Sequence, residues 1–154
     1  MFVPRCLQIK KIEGKGNSLF ANRDFKAGEI VRPLKGVLKH AQDASLYAIQ
    51  LDEDSFLDTE HRYVEDYINH SCDPTTKIDF DRMGFVCIKD IKKGEEITYN
   101  YLTTDYDLLR LHQNFVCNCN SPNCVGRVNG FKFLDTEEQK KLKPLLSPFL
   151  LAKL

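Results

Sequence analysis

No sign of charge prevails in this sequence: 22 Lys and Arg stand against 22 Asp and Glu among 154 residues. A protein whose main task is a non-specific grip on nucleic acid carries a basic excess, so that class is disfavoured. No apolar run approaches the roughly 18 residues a membrane helix needs. The tail Leu145-Leu146-Ser147-Pro148-Phe149-Leu150-Leu151 is too short and is broken by proline. The N-terminus lacks the apolar core of a signal peptide, because Arg5, Lys10 and Lys11 fall inside it. Internal repeats, low-complexity tracts and Gly/Ser linkers are missing as well. The expectation is a soluble, intracellular protein, cytoplasmic or nuclear, that touches no membrane. Hydrophobic residues at 42% suffice for a real core, and at roughly 150 residues per domain the length argues for one domain.

Six cysteines are present: Cys6, Cys72, Cys87, Cys117, Cys119 and Cys124. Six thiols allow about 15 disulfide connectivities, but without an export signal a reducing compartment is the better assumption. There, clustered cysteines more often hold metal. Three of the six fall within Cys117-Asn118-Cys119-Asn120-Ser121-Pro122-Asn123-Cys124. A disulfide between positions i and i+2 is geometrically awkward, whereas two thiolates so spaced grip one ion from the same side. The Ser-Pro-Asn turn brings Cys124 back to them. A tetrahedral zinc site needs a fourth ligand from elsewhere in the chain. Cys6 and Cys87 read as core residues.

The periodicity is that of short strands. Leu7 to Ile12 alternates, Gly14-Lys15-Gly16-Asn17 turns, and Ser18 to Ala21 resumes. Phe25 to Val31 reads as a turn feeding a strand. Tyr47 to Leu51 and Ser55 to Asp58 read as a hairpin around Asp52-Glu53-Asp54, and Gly84 to Ile88 and Glu96 to Tyr101 as further strands. Asp105 to Gln113 has helical spacing, and Asp135-Thr136 caps a helix through Leu142 that Pro144 ends. The fold class is therefore mainly β with short helices, α+β rather than a βαβ series.

The most informative stretch is Tyr67-Ile68-Asn69-His70-Ser71-Cys72-Asp73-Pro74. Its plainest reading is an Asx-Pro turn after a strand. A nucleophilic cysteine beside a base is a poor alternative, because adjacent residues on extended chain point to opposite faces. Cys72 fits better as the missing fourth zinc ligand. Four thiolates close such a site and leave no position open for catalysis.

These residues carry a resemblance to a known family. Gly14-Lys15-Gly16 followed by Leu19-Phe20-Ala21 and Phe25-Lys26-Ala27-Gly28-Glu29 resembles the opening of a SET-domain lysine methyltransferase. Asn69-His70-Ser71-Cys72-Asp73-Pro74 matches that family's signature, and Gly94-Glu95-Glu96-Ile97-Thr98-Tyr99-Asn100-Tyr101 matches its second one. Cys117-x-Cys119-x4-Cys124 with Gly126 after it resembles the post-SET zinc segment. The four occur in family order over about residues 7 to 131. The resemblance implies a SET fold of small sheets in which a knot-like threading joins the two signatures. It implies a SET domain over residues 1–112, a post-SET zinc-binding segment over 113–131 and a helical tail over 132–154.

It also implies a chemistry, the transfer of a methyl group from S-adenosyl-L-methionine to a protein or peptide lysine, with histones as the family's default substrate. Gly14, Lys15 and Gly16 would admit the cofactor close to backbone, and Asn69 and His70 would hold it, largely through backbone groups. A free lysine amine has a pKa of about 10.4, so neutralising it near pH 7.4 costs about 4 kcal/mol. Desolvation in an aromatic channel beside a sulfonium lowers that cost, and no dedicated base is evident. Tyr101 matches the catalytic tyrosine that orients the amine, and Tyr47 the tyrosine on the strand before the signature. Tyr99 stands where the family carries Tyr or Phe, and its hydroxyl can hold a water that limits the product to mono- or dimethyllysine. Phe131 is either a core plug or an aromatic lid over the cofactor's adenine.

The chain departs from the family pattern at Thr75-Thr76, where Asn is usual, and at Asp66, where Arg is common. A catalytically silent SET module that binds zinc and a peptide is the alternative function. An adaptor, however, has no use for Gly14, Gly16, Asn69, His70 and Tyr101 together.

Overall fold

The computed structural model describes residues 1–154. In chain order the strands are β1 (Leu7–Ile12), β2 (Gly16–Ala21), β3 (Ile30–Pro33), β4 (Val37–His40), β5 (Ile49–Gln50), β6 (Ser55–Asp58), β7 (Asn69–His70), β8 (Thr76–Asp79), β9 (Gly84–Cys87), β10 (Thr98–Tyr99), β11 (Phe115–Val116) and β12 (Arg127–Val128). Two short helices, α1 (Thr136–Lys141) and α2 (Pro148–Leu151), close the chain. No helix is long and apolar enough to cross a membrane. Residues group into two compact units, each assembled from separated segments.

The first unit comprises Met1–Leu34, His61–Asn100 and Asn118–Cys124. β1 and β2 form the hairpin that their alternation predicts, in register from Leu7 opposite Ala21 to Ile12 opposite Gly16. β9 lies between β3 and β8 in an antiparallel sheet. All four of its residues are buried, as expected of a middle strand covered on both faces. Leu19, Phe25, Ile68, Ile91 and Ile97 fill this unit's core at 0–1% exposure. Cys87 belongs to the core as expected, and burial raises its thiol pKa to about 11. Cys6 is only half-buried. β7 and β10 pair in parallel, with Asn69 opposite Thr98 and His70 opposite Tyr99.

The second unit comprises Lys35–Glu60, Tyr101–Cys117 and Val125–Leu154. Here β6 lies between β4 and β5, antiparallel to both, and the expected hairpin closes with Ile49 opposite Leu57 and Gln50 opposite Phe56. Leu102, Leu108 and Val128 form a buried cluster, with Phe115, Leu134 and Leu142 packed against it. Helix α1 starts where the capping signal lies: Asp135 accepts from the Glu138 amide at 2.8 Å, and Glu138 accepts from the Asp135 amide at 3.0 Å. Leu142 is its C-cap, and Lys143–Leu145 continues as a 3-10 turn that contains Pro144.

Three sequence expectations are corrected. Asp105 to Gln113 forms turns rather than a helix. The Leu108 amide donates to the Asn129 carbonyl at 2.9 Å, and His112 takes a left-handed φ of 55°, so no helical ladder runs through. Tyr47 lies in a turn two residues before β5 rather than on the strand, and its amide donates to the Ser45 hydroxyl at 3.1 Å. The strand proposed for Glu96 to Tyr101 narrows to Thr98–Tyr99, since Tyr101–Thr103 turns as a 3-10 helix.

Asp105 is buried at 7% exposure, with the Thr104 hydroxyl 3.4 Å from its carboxylate. Burial outweighs that contact and raises its pKa from 3.8 to about 7. Between those values the folded chain holds a proton that the unfolded chain has lost, so stability falls as pH rises through the window. Asp105→Asn is expected to flatten this part of the melting-temperature profile between about pH 4 and pH 7. An unchanged slope in calorimetric melts of the variant contradicts the assignment.

Candidate functional site

In the first unit the Gly14-Lys15-Gly16 turn links β1 to β2. Gly14 and Gly16 take φ of 82° and 78°, left-handed values that a side chain opposes. A Cβ at either would meet no atom of the chain within 4 Å. Conformation, not crowding inside the chain, therefore demands glycine here, and open space borders the turn. Lys15 does not reach into that space freely, because its ammonium pairs with Glu96 at 3.1 Å. The other Glu96 carboxylate oxygen is buried without a hydrogen-bond partner. Asn118 donates its side-chain amide to the Gly14 carbonyl at 3.3 Å.

Asn69 and His70 occupy β7, and both side chains turn to their own unit. The Asn69 amide donates to the Ser18 hydroxyl at 2.6 Å and to the Asn17 carbonyl at 3.1 Å. His70 is buried at 6% exposure, with Nε2 3.3 Å from the sulfur of Cys72. Desolvation, then the positive charge of Lys15, lowers its pKa to about 4, so the ring is neutral at physiological pH. Beside it on β10, Tyr99 is 6% exposed and meets the Phe85 ring edge-on at 5.5 Å. The Ser71 amide extends the parallel pairing by donating to the Tyr99 carbonyl at 3.1 Å.

In the second unit Tyr101 opens the 3-10 turn, and its ring lies edge-on to Phe115 at 5.9 Å. The Asp105 peptide ties it to Phe131: the Asp105 amide donates to the Tyr101 carbonyl, and the Phe131 amide donates to the Asp105 carbonyl, each at 2.9 Å. Phe131 is 1% exposed, whereas Tyr47 is 36% exposed.

The sulfurs of Cys72, Cys117, Cys119 and Cys124 all lie within 4.8 Å of one another, and none is in a disulfide. Zinc–sulfur bonds of about 2.3 Å place tetrahedral sulfurs about 3.8 Å apart, so this donor set fits a closed zinc site. Local turns shape it. The Cys117 amide donates to the Gly126 carbonyl at 2.7 Å, the Cys124 amide to the Ser121 carbonyl at 3.0 Å, and Asn120 adopts a left-handed φ of 57°.

Sequence reasoning did not foresee the Lys15–Glu96 pair, the anchoring of Asn69 on Ser18, or the contact between His70 and Cys72. The first two join segments 81 and 51 residues apart, and no local pattern announces them. The third joins residues two apart, but it depends on the bend at Cys72 that follows β7.

Comparison with known proteins shows the family and the fold. The SET domain profile matches residues 16–102. The variant-silencing SET domain-containing protein of Plasmodium falciparum is 35% identical over 144 residues, covering 78% of this chain and 6% of that protein. The H3 lysine-36 specific histone-lysine N-methyltransferase of Candida albicans is 30% identical over 146 residues, 80% of this chain and 17% of that protein. Among solved structures, KRYPTONITE in complex with mCHG DNA and SAH superposes with a TM-score of 0.63 at 24% identity, over 79% of this chain and 28% of that one. This chain thus spans a small part of the length of each, and the structural likeness at that identity is one of fold.

Proposed function

The chain belongs to the SET-domain family, and from that premise we propose that it is a protein-lysine N-methyltransferase using S-adenosyl-L-methionine, with one structural zinc. The observation that carries the proposal is the parallel pairing of Asn69-His70 with Thr98-Tyr99, which unites the two signature segments. The Candida relative's name supports beginning the substrate search with histone H3, whose methylation would place the protein in the nucleus. Residues 1–112 then form the catalytic domain, 113–131 the zinc segment and 132–154 a helical tail.

When bound, the cofactor would supply a methyl carbon on a sulfonium; the neutral lysine amine would form the N–C bond in line as the C–S bond breaks, with the thioether product leaving. Around it, the Gly14-Lys15-Gly16 turn offers backbone rather than side chains, because the Lys15 ammonium is held by Glu96. Asn69 and His70 likewise contribute backbone groups, their side chains being engaged with Ser18 and Cys72. His70, buried with its pKa lowered to about 4 and its Nε2 against the Cys72 sulfur, is a weak proton acceptor, and the amine's proton is assigned to solvent. The Tyr101 hydroxyl orients the amine and Tyr99 and Tyr47 line its channel, while Phe131, buried at 1% exposure, acts as a core plug rather than a lid over the adenine. Cys72, Cys117, Cys119 and Cys124 hold the ion with no coordination position left over, so its role is structural.

The test is methyl transfer from labelled cofactor to a protein array that includes histone H3, together with calorimetric binding of the cofactor product. Binding with transfer is expected. Binding without transfer to any lysine favours a silent adaptor, and absence of both overturns the enzyme reading. In the same assay, Tyr99→Phe is expected to add one methyl group to the product by removing the hydroxyl that orders a water. Mass spectra with unchanged methylation multiplicity would remove that role.

A further inference from the structure

We propose that His70 is a positioning residue of the metal centre, donating its Nε2–H to the thiolate of Cys72 and holding that ligand in place. The inference rests on the zinc reading above and extends it to a side chain that the methyl-transfer scheme leaves unused.

The geometry begins with the sequence. His70 ends β7 and Cys72 lies two residues on, at the bend that follows the strand, which leaves the ring and the sulfur in contact. Ser71, between them, is fixed by its amide bond to the Tyr99 carbonyl at 3.1 Å. Its hydroxyl accepts from the Asp73 amide at 3.1 Å, turning the chain directly after Cys72. The imidazole is buried at 6% exposure, and its Nε2 lies 3.3 Å from the sulfur.

The direction of that contact follows from the metal. A zinc-bound cysteine has given up its proton and can only accept, so the hydrogen belongs to the ring, and in the neutral ring this fixes the Nε2–H tautomer. Four thiolates around one dication leave two negative charges in excess. A donor aimed at one sulfur draws off part of that charge and restricts the ligand to its bonding rotamer. Partners of this kind are worth about 10- to 100-fold in metal affinity. In β7 His70 pairs with Tyr99 of β10, so the residue that steadies the ion also belongs to the strand pair uniting the two signatures.

Glutamine and asparagine separate donation from polarity. In His70→Gln the side-chain amide nitrogen falls near the place of Nε2, whereas in His70→Asn the shorter amide reaches only the place of Nδ1. Zinc release to an excess of a chromophoric chelator is expected to be within about three-fold of wild type for His70→Gln and about 10- to 100-fold faster for His70→Asn. Equal rates for the two variants overturn the proposal, whether both are slow or both fast. Should His70→Asn fail to fold, nitrogen–proton correlation spectra of the zinc-loaded wild type decide alone: the Nε2–H tautomer is expected, and Nδ1–H refutes it. A wild-type protein purified with no zinc fails at the earlier step and removes the zinc reading itself, while zinc held equally by all three proteins removes only the role of His70.

Discussion

Tyr101→Phe is expected to lower turnover by about 100- to 1000-fold while leaving affinity for the cofactor product within about two-fold. The asymmetry follows from how the residue is held. Its carbonyl accepts from the Asp105 amide at 2.9 Å and from the Thr104 amide at 3.1 Å, and its ring rests edge-on against Phe115. None of these contacts uses the phenol oxygen, so phenylalanine keeps the backbone turn and the ring packing. What it removes is a hydroxyl placed, in the proposed mechanism, where the amine must be oriented and charge is redistributed in the transition state. An interaction of that kind appears in kcat rather than in ground-state binding. Calorimetry of product binding beside single-turnover methyl transfer makes the comparison. A parallel collapse of binding and turnover would make Tyr101 a structural residue and leave the chemistry without its proposed tyrosine.

Elements governed by local rules were legible: the β1–β2 hairpin from its alternation, and the start of α1 from its capping box. Three of the four clustered cysteines could be grouped from spacing alone, because they are neighbours in the chain. Asp105 to Gln113 misled because leucine spacing records which residues are apolar and not where their amides bond. There the Leu108 amide bonds to Asn129, 21 positions along the chain, and the segment turns. Partly buried ion pairs escaped for the same reason. Arg32 meets Glu65 at 2.9 Å across 33 residues, and Lys39 meets the fully buried Asp58 at 3.1 Å, contacts that exist only once separate strands have been brought together. The parallel pairing of β7 with β10 is likewise beyond periodicity; two residues per strand carry no repeat. Resemblance to a family supplied that expectation, and coordinates supplied the register.

Removing the metal is the perturbation expected to act most widely. Purified protein should carry about one zinc per chain, and a strong chelator should abolish hydrogen-exchange protection across residues 117 to 124 and most activity with it, while Val128 and Phe131 stay held by the core. The reason lies in how little else organises that stretch. β11 and β12 contribute two residues each, and a two-stranded ribbon of that length has no independent stability. Between them, Cys119 and Cys124 are only partly buried, and the backbone bonds within the Cys117–Cys124 stretch are those of tight turns. Ion binding to a thiolate set is worth about 10 kcal/mol or more, enough to order such a loop against its conformational entropy. Cys72→Ser should reproduce the effect from a position 45 residues earlier in the chain, since it removes one of the four sulfurs without touching the loop. Cys6→Ser is the control: its thiol stands outside the cluster, so zinc content and protection should match wild type. Metal-free protein that keeps full activity and full protection would show that the four sulfurs converge for some other reason, and the zinc assignment would fall with the order it was invoked to explain.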